Sequence, residues 1–355
     1  MRAIRQVRSS QIMQAFGKIL IFHPAAIGDA MIATPVAKTL RLNFPEAKIT
    51  YWSHPSLRQL IVGLCPSVDE FLDFSREHGV LALRKVLEDA EPDLFVDLSN
   101  SNRAKLFTLF SKARVVRYVK RPSSERPIMH AVNNFMEVIE PVCPEVPESL
   151  FPTIFPKASA AEILADHTGA ESQKPIIGIV PGVGKSRAHR AWVHDGWLFI
   201  LKLLQTRATH DVVLIGGDDE TSICKELKTE SESSCINLAG RLTLAQTAAV
   251  LKGCQVVITG DTGPAHIANA VGTPVIALHG PTYSARSGPF DYLSLALDES
   301  KNCRCIDMKA CRFTTAGSPG ECMGRIALPD VLEKLDAVLG NKGKMKSGQP
   351  GLSVD

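Results

Sequence analysis

The 355-residue chain has no apolar run near the ~18 residues that a bilayer-spanning helix needs, so it offers no transmembrane candidate. Its N-terminal stretch, Met1 to Gly17, is basic but lacks the apolar core and small-residue cleavage site of a secretory signal, and a cytoplasmic location is expected. Paired C-x2-C knuckles of the usual structural zinc site are missing. No D-x-D motif stands in a plausible loop; Asp218-Asp219 follows a Gly pair, but paired acids alone are weak metal evidence. Aromatic residues are scarce, at 6%, and the most basic stretch carries only Phe107, Phe110 and Tyr118; with no nucleic-acid motif beside them, a nucleic-acid partner is not expected.

What is present is the composition of a globular protein, 45% hydrophobic and 22% charged. At ~150 residues per domain the length suggests two domains, each able to bury a core. The net charge of +3 decides little, but its distribution is uneven. Residues 101–130 hold eight Lys or Arg against the single acid Glu125, and residues 1–18 add Arg2, Arg5, Arg8 and Lys18. Such patches favour anionic partners, among them a phosphorylated glycolipid or an anionic membrane surface. Of nine cysteines, Cys303, Cys305, Cys311 and Cys322 cluster. The single-residue gap between Cys303 and Cys305 makes a zinc chelate tight, so reduced thiols are the expected state and structural zinc the alternative.

Along the chain, apolar β-branched runs alternate with helical patterns, which predicts βαβ units and parallel sheets. Strands are expected at Lys18–Phe22, Lys48–Trp52, Phe71–Asp73, Asp93–Leu98 and Val115–Tyr118, with helices at Gly28–Leu42, near Ser56–Val62, over 77–89 and near Arg103–Phe110. Five prolines between Pro141 and Lys157 mark a domain edge. The alternation then restarts, with strands at Ile176–Val180, Val212–Ile215, Val256–Thr259 and Val275–Leu278. Helices are expected at Trp192–Thr206, near Asp219–Lys228, at Thr243–Lys252 and at Leu328–Leu339. The resulting division is a basic leader (1–17), an N-terminal domain (18–165), a C-terminal domain (170–327), a C-terminal helix (328–340) and a disordered tail (341–355).

Two strand-to-helix turns carry candidate chemistry. In Gly260-Asp261-Thr262-Gly263-Pro264-Ala265-His266, Gly263 admits a close backbone approach and Pro264 suits the first helical turn. Free N–H groups of that helix then suit a phosphate or diphosphate, although an ordinary capped junction has the same spelling. The first strand opens onto His23-Pro24-Ala25-Ala26-Ile27-Gly28-Asp29, which is neither G-x-G-x-x-G nor a P-loop. Asp29, at the start of a helix on the carboxyl edge of the sheet, is placed for a general base or for a helix cap.

Taken together these turns resemble glycosyltransferase family 9, the ADP-heptose:lipopolysaccharide heptosyltransferases. The resemblance runs from about Lys18 to about Leu339. It rests on Ile27-Gly28-Asp29 with Thr34-Pro35, on Phe44-Pro45-Glu46-Ala47, and on Asp93-Leu94-Phe95-Val96-Asp97-Leu98. It continues through Pro181-Gly182 with Arg190-Ala191-Trp192, Leu238 to Leu244, Gly260 to His266, Gly272-Thr273-Pro274-Val275 and Leu278-His279-Gly280-Pro281-Thr282.

The resemblance implies an α/β GT-B fold: two Rossmann-like parallel-sheet domains facing across a cleft. It implies inverting transfer of heptose from ADP-heptose to an inner-core sugar of lipopolysaccharide, at the cytoplasmic surface of the inner membrane, with no cofactor and no metal. By the same matching, Asp29 is the base. Thr262 and Gly263 cradle the diphosphate with Arg190 as cation, while Asp261 and His266 lie near donor sugar and phosphates. Leu242 lies against the adenine, and Asp218 or Asp219 near the base or ribose. Arg190 stands where the family usually has Lys, with Lys185 and Arg187 on the same loop as further diphosphate candidates. For an anionic, lipid-linked sugar acceptor the candidates are Arg103, Lys105, Arg117, Lys120 and Arg121. Alternatives are another nucleotide-sugar or acceptor on the same fold, or an inactive glycolipid-binding homologue, for which a retained Asp29 would be superfluous.

Overall fold

The computed structural model describes residues 16–119, 129–169, 174–306, 308–315 and 317–340. Lys120, Arg121, most of the basic leader and the 341–355 tail lie outside these residues.

The first half runs β1 (Lys18–Phe22), α1 (Ile27–Ile32), α2 (Thr34–Asn43), β2 (Lys48–Ser53), α3 (Arg58–Leu64), β3 (Glu70–Asp73), α4 (Val80–Ala90), β4 (Leu94–Asp97), α5 (Asn102–Phe107) and β5 (Arg114–Arg117). Its five strands are parallel in the order β3-β2-β1-β4-β5. Both faces are covered, which is why β1 reads as an unbroken apolar run. Its pleat splits the run in two: Ile19 and Ile21 join the large core, while Leu20 and Phe22 join an aromatic cluster with Trp52, Phe74, Phe95 and Phe107. At ~1.5–3 kcal/mol for each fully buried large apolar side chain, these residues anchor the sheet.

The expected single helix from Gly28 to Leu42 is two, α1 and α2, because Pro35 has no N–H to give to the carbonyl of Met31. The Thr34 hydroxyl donates to that carbonyl instead, at 2.8 Å. After β5 come α6 (Ala131–Ile139) and α7 (Ala160–Thr168), neither of which the sequence reading anticipated. The pattern of α6 adjoins the basic stretch and that of α7 the Pro-rich segment, both of which spell loop. A Ser159/Glu162 capping box starts α7.

The second half runs β6 (Ile176–Val180), α8 (His194–Arg207), β7 (Asp211–Leu214), α9 (Thr221–Ser231), β8 (Ile236–Asn237), α10 (Leu244–Gly253), β9 (Cys254–Gly260), α11 (Gly263–Ala270), β10 (Val275–His279), α12 (Ser284–Ser287), β11 (Leu297–Asp298), α13 (Glu321–Gly324) and α14 (Leu328–Gly340). Its sheet is parallel, ordered β11-β10-β9-β6-β7-β8. Val331, Leu335 and Val338 of α14 join the core under this sheet. The face of α7 packs on α10 so closely that a Cβ on Gly253 would stand 2.3 Å from that of Ala160. The 165–170 border thus falls at the end of a helix that packs on α10 of the second half.

Both sheets reverse their strand order beside the first strand of the half, at β1/β4 and at β6/β9. In open parallel sheets the carboxyl ends beside that reversal are where ligands bind. Where the resemblance implies a cleft, α1 packs on α11: a Cβ on Gly28 would stand 2.7 Å from Cδ2 of His266. The halves are also tied by His130 Nε2 to the Gly288 carbonyl at 3.0 Å and by the Ile154 N–H donated to the Ala270 carbonyl at 2.9 Å.

Candidate active site

The carboxyl ends of β1 and β9 meet at this junction. Asp29 lies in the first turn of α1, whose N-cap, Ala26, supplies no side-chain cap. Its side chain keeps solvent access. Surrounding protein nevertheless raises its pKa above the ordinary carboxylate value, with Asp261 adding to the rise and Arg286, Arg187 and Arg190 opposing it. Two carboxylates and three guanidiniums, from both halves, therefore act on one another across the junction.

Asp261, at the end of β9, is buried. Its carboxylate accepts from Arg190 at 2.7 Å and from the Thr282 hydroxyl at 2.8 Å. Burial alone would raise its pKa, but His279, Arg190, His266 and the Thr282 hydrogen bond outweigh that and hold it below the ordinary value. His266 is buried, and burial lowers its pKa to about 4, so the ring is neutral at pH 7. Arg190 is in direct contact with the Asp261 carboxylate as its counter-charge. The Nε of Arg190 is buried with no hydrogen-bond partner among the described residues, as is Nε2 of His279.

Helix α11 starts at Gly263 with no side-chain cap from Thr262 and with Pro264 in its first turn. The α-carbon of Gly263 faces the neighbouring half: a Cβ there would lie 3.1 Å from Cβ of Ile27. Its glycine identity thus suits the close α1–α11 contact as well as any ligand approach.

The other donor-side candidates stand on neighbouring carboxyl-end turns. Lys185 pairs with Asp219 at 3.0 Å, both exposed. Glu220 binds the loop of Lys185 to this turn, accepting from the Gly184 and Gly217 N–H groups at 2.9 and 2.8 Å. A Cβ on Gly182 would fall 1.9 Å from Cγ of Glu220, which explains that glycine. Gly240 adopts φ +71° against Asp218 and Thr221, and Leu242 follows it, half-buried against the large core. Asp29, Arg190, Asp261, Thr262, Gly263 and His266 are thus brought together, while Lys185, Asp219 and Leu242 occupy adjoining turns.

The acceptor candidates are arranged differently. Arg103 gives its guanidinium to the carbonyls of Arg76 and His78 at 2.7–3.0 Å and lies over Phe74. Arg117 is held by the fully buried Asp97 at 2.9 Å and by Thr108 at 2.7 Å. Lys105 is exposed and reaches only Asn102, at 3.3 Å. Arg103 and Arg117 therefore spend their donors within the first half. His23, in the turn before α1, is buried against Tyr51 at 2.8 Å, and burial lowers its pKa to about 3, so it belongs to the core.

Sequence reasoning missed Arg286, Thr282, His279 and Glu220 as site residues. His279 and Thr282 lay inside a quoted motif, but nothing in the spelling showed that Thr282 would meet Asp261. Among the described residues no three His, Cys, Asp or Glu side chains already stand in the geometry of a metal site. No helix of the described residues is long and apolar enough to cross a membrane.

Comparison with known proteins bears on this arrangement. The family profile described as "Glycosyltransferase family 9 (heptosyltransferase)" matches residues 80–314. Lipopolysaccharide heptosyltransferase 2 of Escherichia coli K12 is 27% identical over 299 residues, covering 75% of this chain and 83% of the relative. Lipooligosaccharide heptosyltransferase 2 of Haemophilus influenzae is 27% identical over 297 residues, covering 74% and 83%. In fold, the chain is similar to the solved E. coli ADP-heptose lipopolysaccharide heptosyltransferase II, with a TM-score of 0.72 at 23% identity over 92% of this chain and 99% of that one.

Proposed function

The chain belongs to glycosyltransferase family 9, and from that premise we propose that it transfers heptose from ADP-heptose to an inner-core sugar of lipopolysaccharide, with inversion at the anomeric carbon. The observation that carries this reading is the carboxylate pair at the junction. Asp29, solvent-accessible, free of a strong cap and raised in pKa, faces a second half that presents Asp261, Arg190 and the start of α11.

In this mechanism the Asp29 carboxylate takes the proton of the acceptor hydroxyl as its oxygen attacks the anomeric carbon. A base whose pKa is lifted toward the working pH serves such a step well. ADP leaves on the opposite face, and its growing negative charge is met by Arg187 and Arg190. Asp261 and Thr282 hold Arg190 in place. Lys185, Asp219 and Leu242 line the way to the nucleotide. The acceptor is an anionic, lipid-linked sugar, met by Lys105 and the basic 101–130 stretch at an anionic membrane surface.

The test is twofold. Mass spectrometry of the lipopolysaccharide core from a strain lacking the protein should show a missing heptose. Purified protein given ADP-heptose and the truncated core should restore it. A complete core in the deletion strain, or no transfer from ADP-heptose while another nucleotide-sugar is consumed, overturns the assignment of donor or acceptor.

A further inference from the structure

Residues 303–320 contain neither helix nor strand among the described residues, yet they are folded back on the second half. Phe313 is 48% exposed, so this segment has little apolar core of its own. Its inner side is made of sulfur: Cys303, Cys305, Cys311 and Cys322 line one small cavity together. Cys303 lies beside Cys322, and Cys305 beside Cys311.

Three backbone amides point at these sulfurs. Cys303 Sγ accepts from the N–H of Cys305 at 3.3 Å, Cys305 Sγ from that of Arg312 at 3.4 Å, and Cys311 Sγ from that of Phe313 at 3.5 Å. Backbone amides aimed at cysteine sulfurs are the outer hydrogen bonds that orient metal-bound sulfur ligands. The surrounding charge has the matching sign: Lys301, Arg304, Lys309, Arg312 and Arg325 stand against Asp307 and Glu321 in the sequence.

We propose that Cys303, Cys305, Cys311 and Cys322 hold one transition-metal cation as four thiolates, a site distinct from the sugar-transfer junction. An all-sulfur set selects zinc or iron. The sulfurs stand as two neighbouring pairs, and among the described residues they are not drawn together in the geometry of a metal site. Binding forms four metal–sulfur bonds, with the loss of the thiol protons to solvent. This departs from the reduced thiols that the spacing suggests, because convergence of sulfurs and amide donors is invisible in spacing. The ion braces the donor side: Cys322 Sγ would lie 2.8 Å from a Cβ on Gly280, next to His279, and the Gly320 N–H donates to the His189 carbonyl at 3.0 Å, next to Arg190.

The test uses the full chain, purified without chelator and analysed for metals. One zinc or one iron per chain is expected, iron being told apart by its thiolate charge-transfer colour. Cys303→Ser and Cys311→Ser should each lower the metal content at least tenfold. Because a serine variant can fail to fold, wild-type protein stripped by chelator is also titrated with cobalt(II). Thiolate charge-transfer and tetrahedral d–d bands that saturate at one equivalent support the site, and zinc should then bleach them. Metal-free wild-type protein that shows no such bands overturns the proposal. The result does not depend on which sugar the enzyme transfers.

Discussion

The Arg190–Asp261 pair allows a stability prediction worked from its geometry. The two side chains are 17% and 8% exposed and meet at 2.7 Å, and Thr282 supplies a second donor to the same carboxylate. Removing one partner of such a pair strands the other charge, which costs about 3–5 kcal/mol for full burial. The residual exposure of Arg190 places Arg190→Met near the lower end of that range. Asp261→Asn leaves the arginine opposite a neutral amide and should cost a similar amount. The double variant strands no charge, so it should be more stable than the sum of the single effects by about 2 kcal/mol, a coupling in the range seen for contacting residues. Urea denaturation of all four proteins at pH 7 measures the cycle.

The pH dependence has a fixed sign. Asp261 has its folded pKa depressed, so the pair's contribution is complete above the unfolded carboxylate value, about 3.9, and fades as pH falls through the lower folded value. Additive single effects, or a coupling that vanishes already between pH 7 and 5, would refute this account of what holds Arg190.

Other expectations concern the chemistry and the acceptor. Asp29→Asn should leave ADP affinity intact and lower kcat about 10²–10⁴-fold, read by steady-state transfer assays; in the wild type the acidic limb of the rate profile should lie above the ordinary aspartate value, since the folded pKa is raised. Gly28→Ala would set a Cβ 2.7 Å from the buried His266 ring. It should cost about 1–3 kcal/mol by overpacking and lower transfer, and unchanged melting and kinetics would mean that the halves part freely here. Arg117→Met should destabilise by stranding the buried Asp97 without altering acceptor KM, whereas Lys105→Gln should raise acceptor KM at low salt and leave melting unchanged.

How much of this was legible in the sequence differs from residue to residue. The apolar runs at Lys18–Phe22, Ile176–Val180 and Val275–His279 could only be buried strands, since a parallel sheet covered on both faces needs no polar alternation. Asp29 and the Gly260–His266 turn were readable because the carboxyl end of a strand is fixed by chain direction alone, and that edge is where ligands meet a parallel sheet. Local spelling therefore settled which residues lie at the carboxyl edges of the sheets.

What those residues touch was decided by tertiary structure. Gly263 reads as a glycine that admits a ligand; that it also packs on the opposite half, against Ile27, and that Gly28 packs on His266, follow from the meeting of α1 and α11. Arg117 reads as an acceptor candidate, and its partner Asp97 appears only once strand order sets β4 beside β5. The four sulfurs, spread from Cys303 to Cys322, meet only because a segment without helix or strand folds back onto α13. Sequence fixes chemistry and periodicity along one dimension; partners far apart in the chain follow from sheet order and domain docking, which depend on the summed burial of every element.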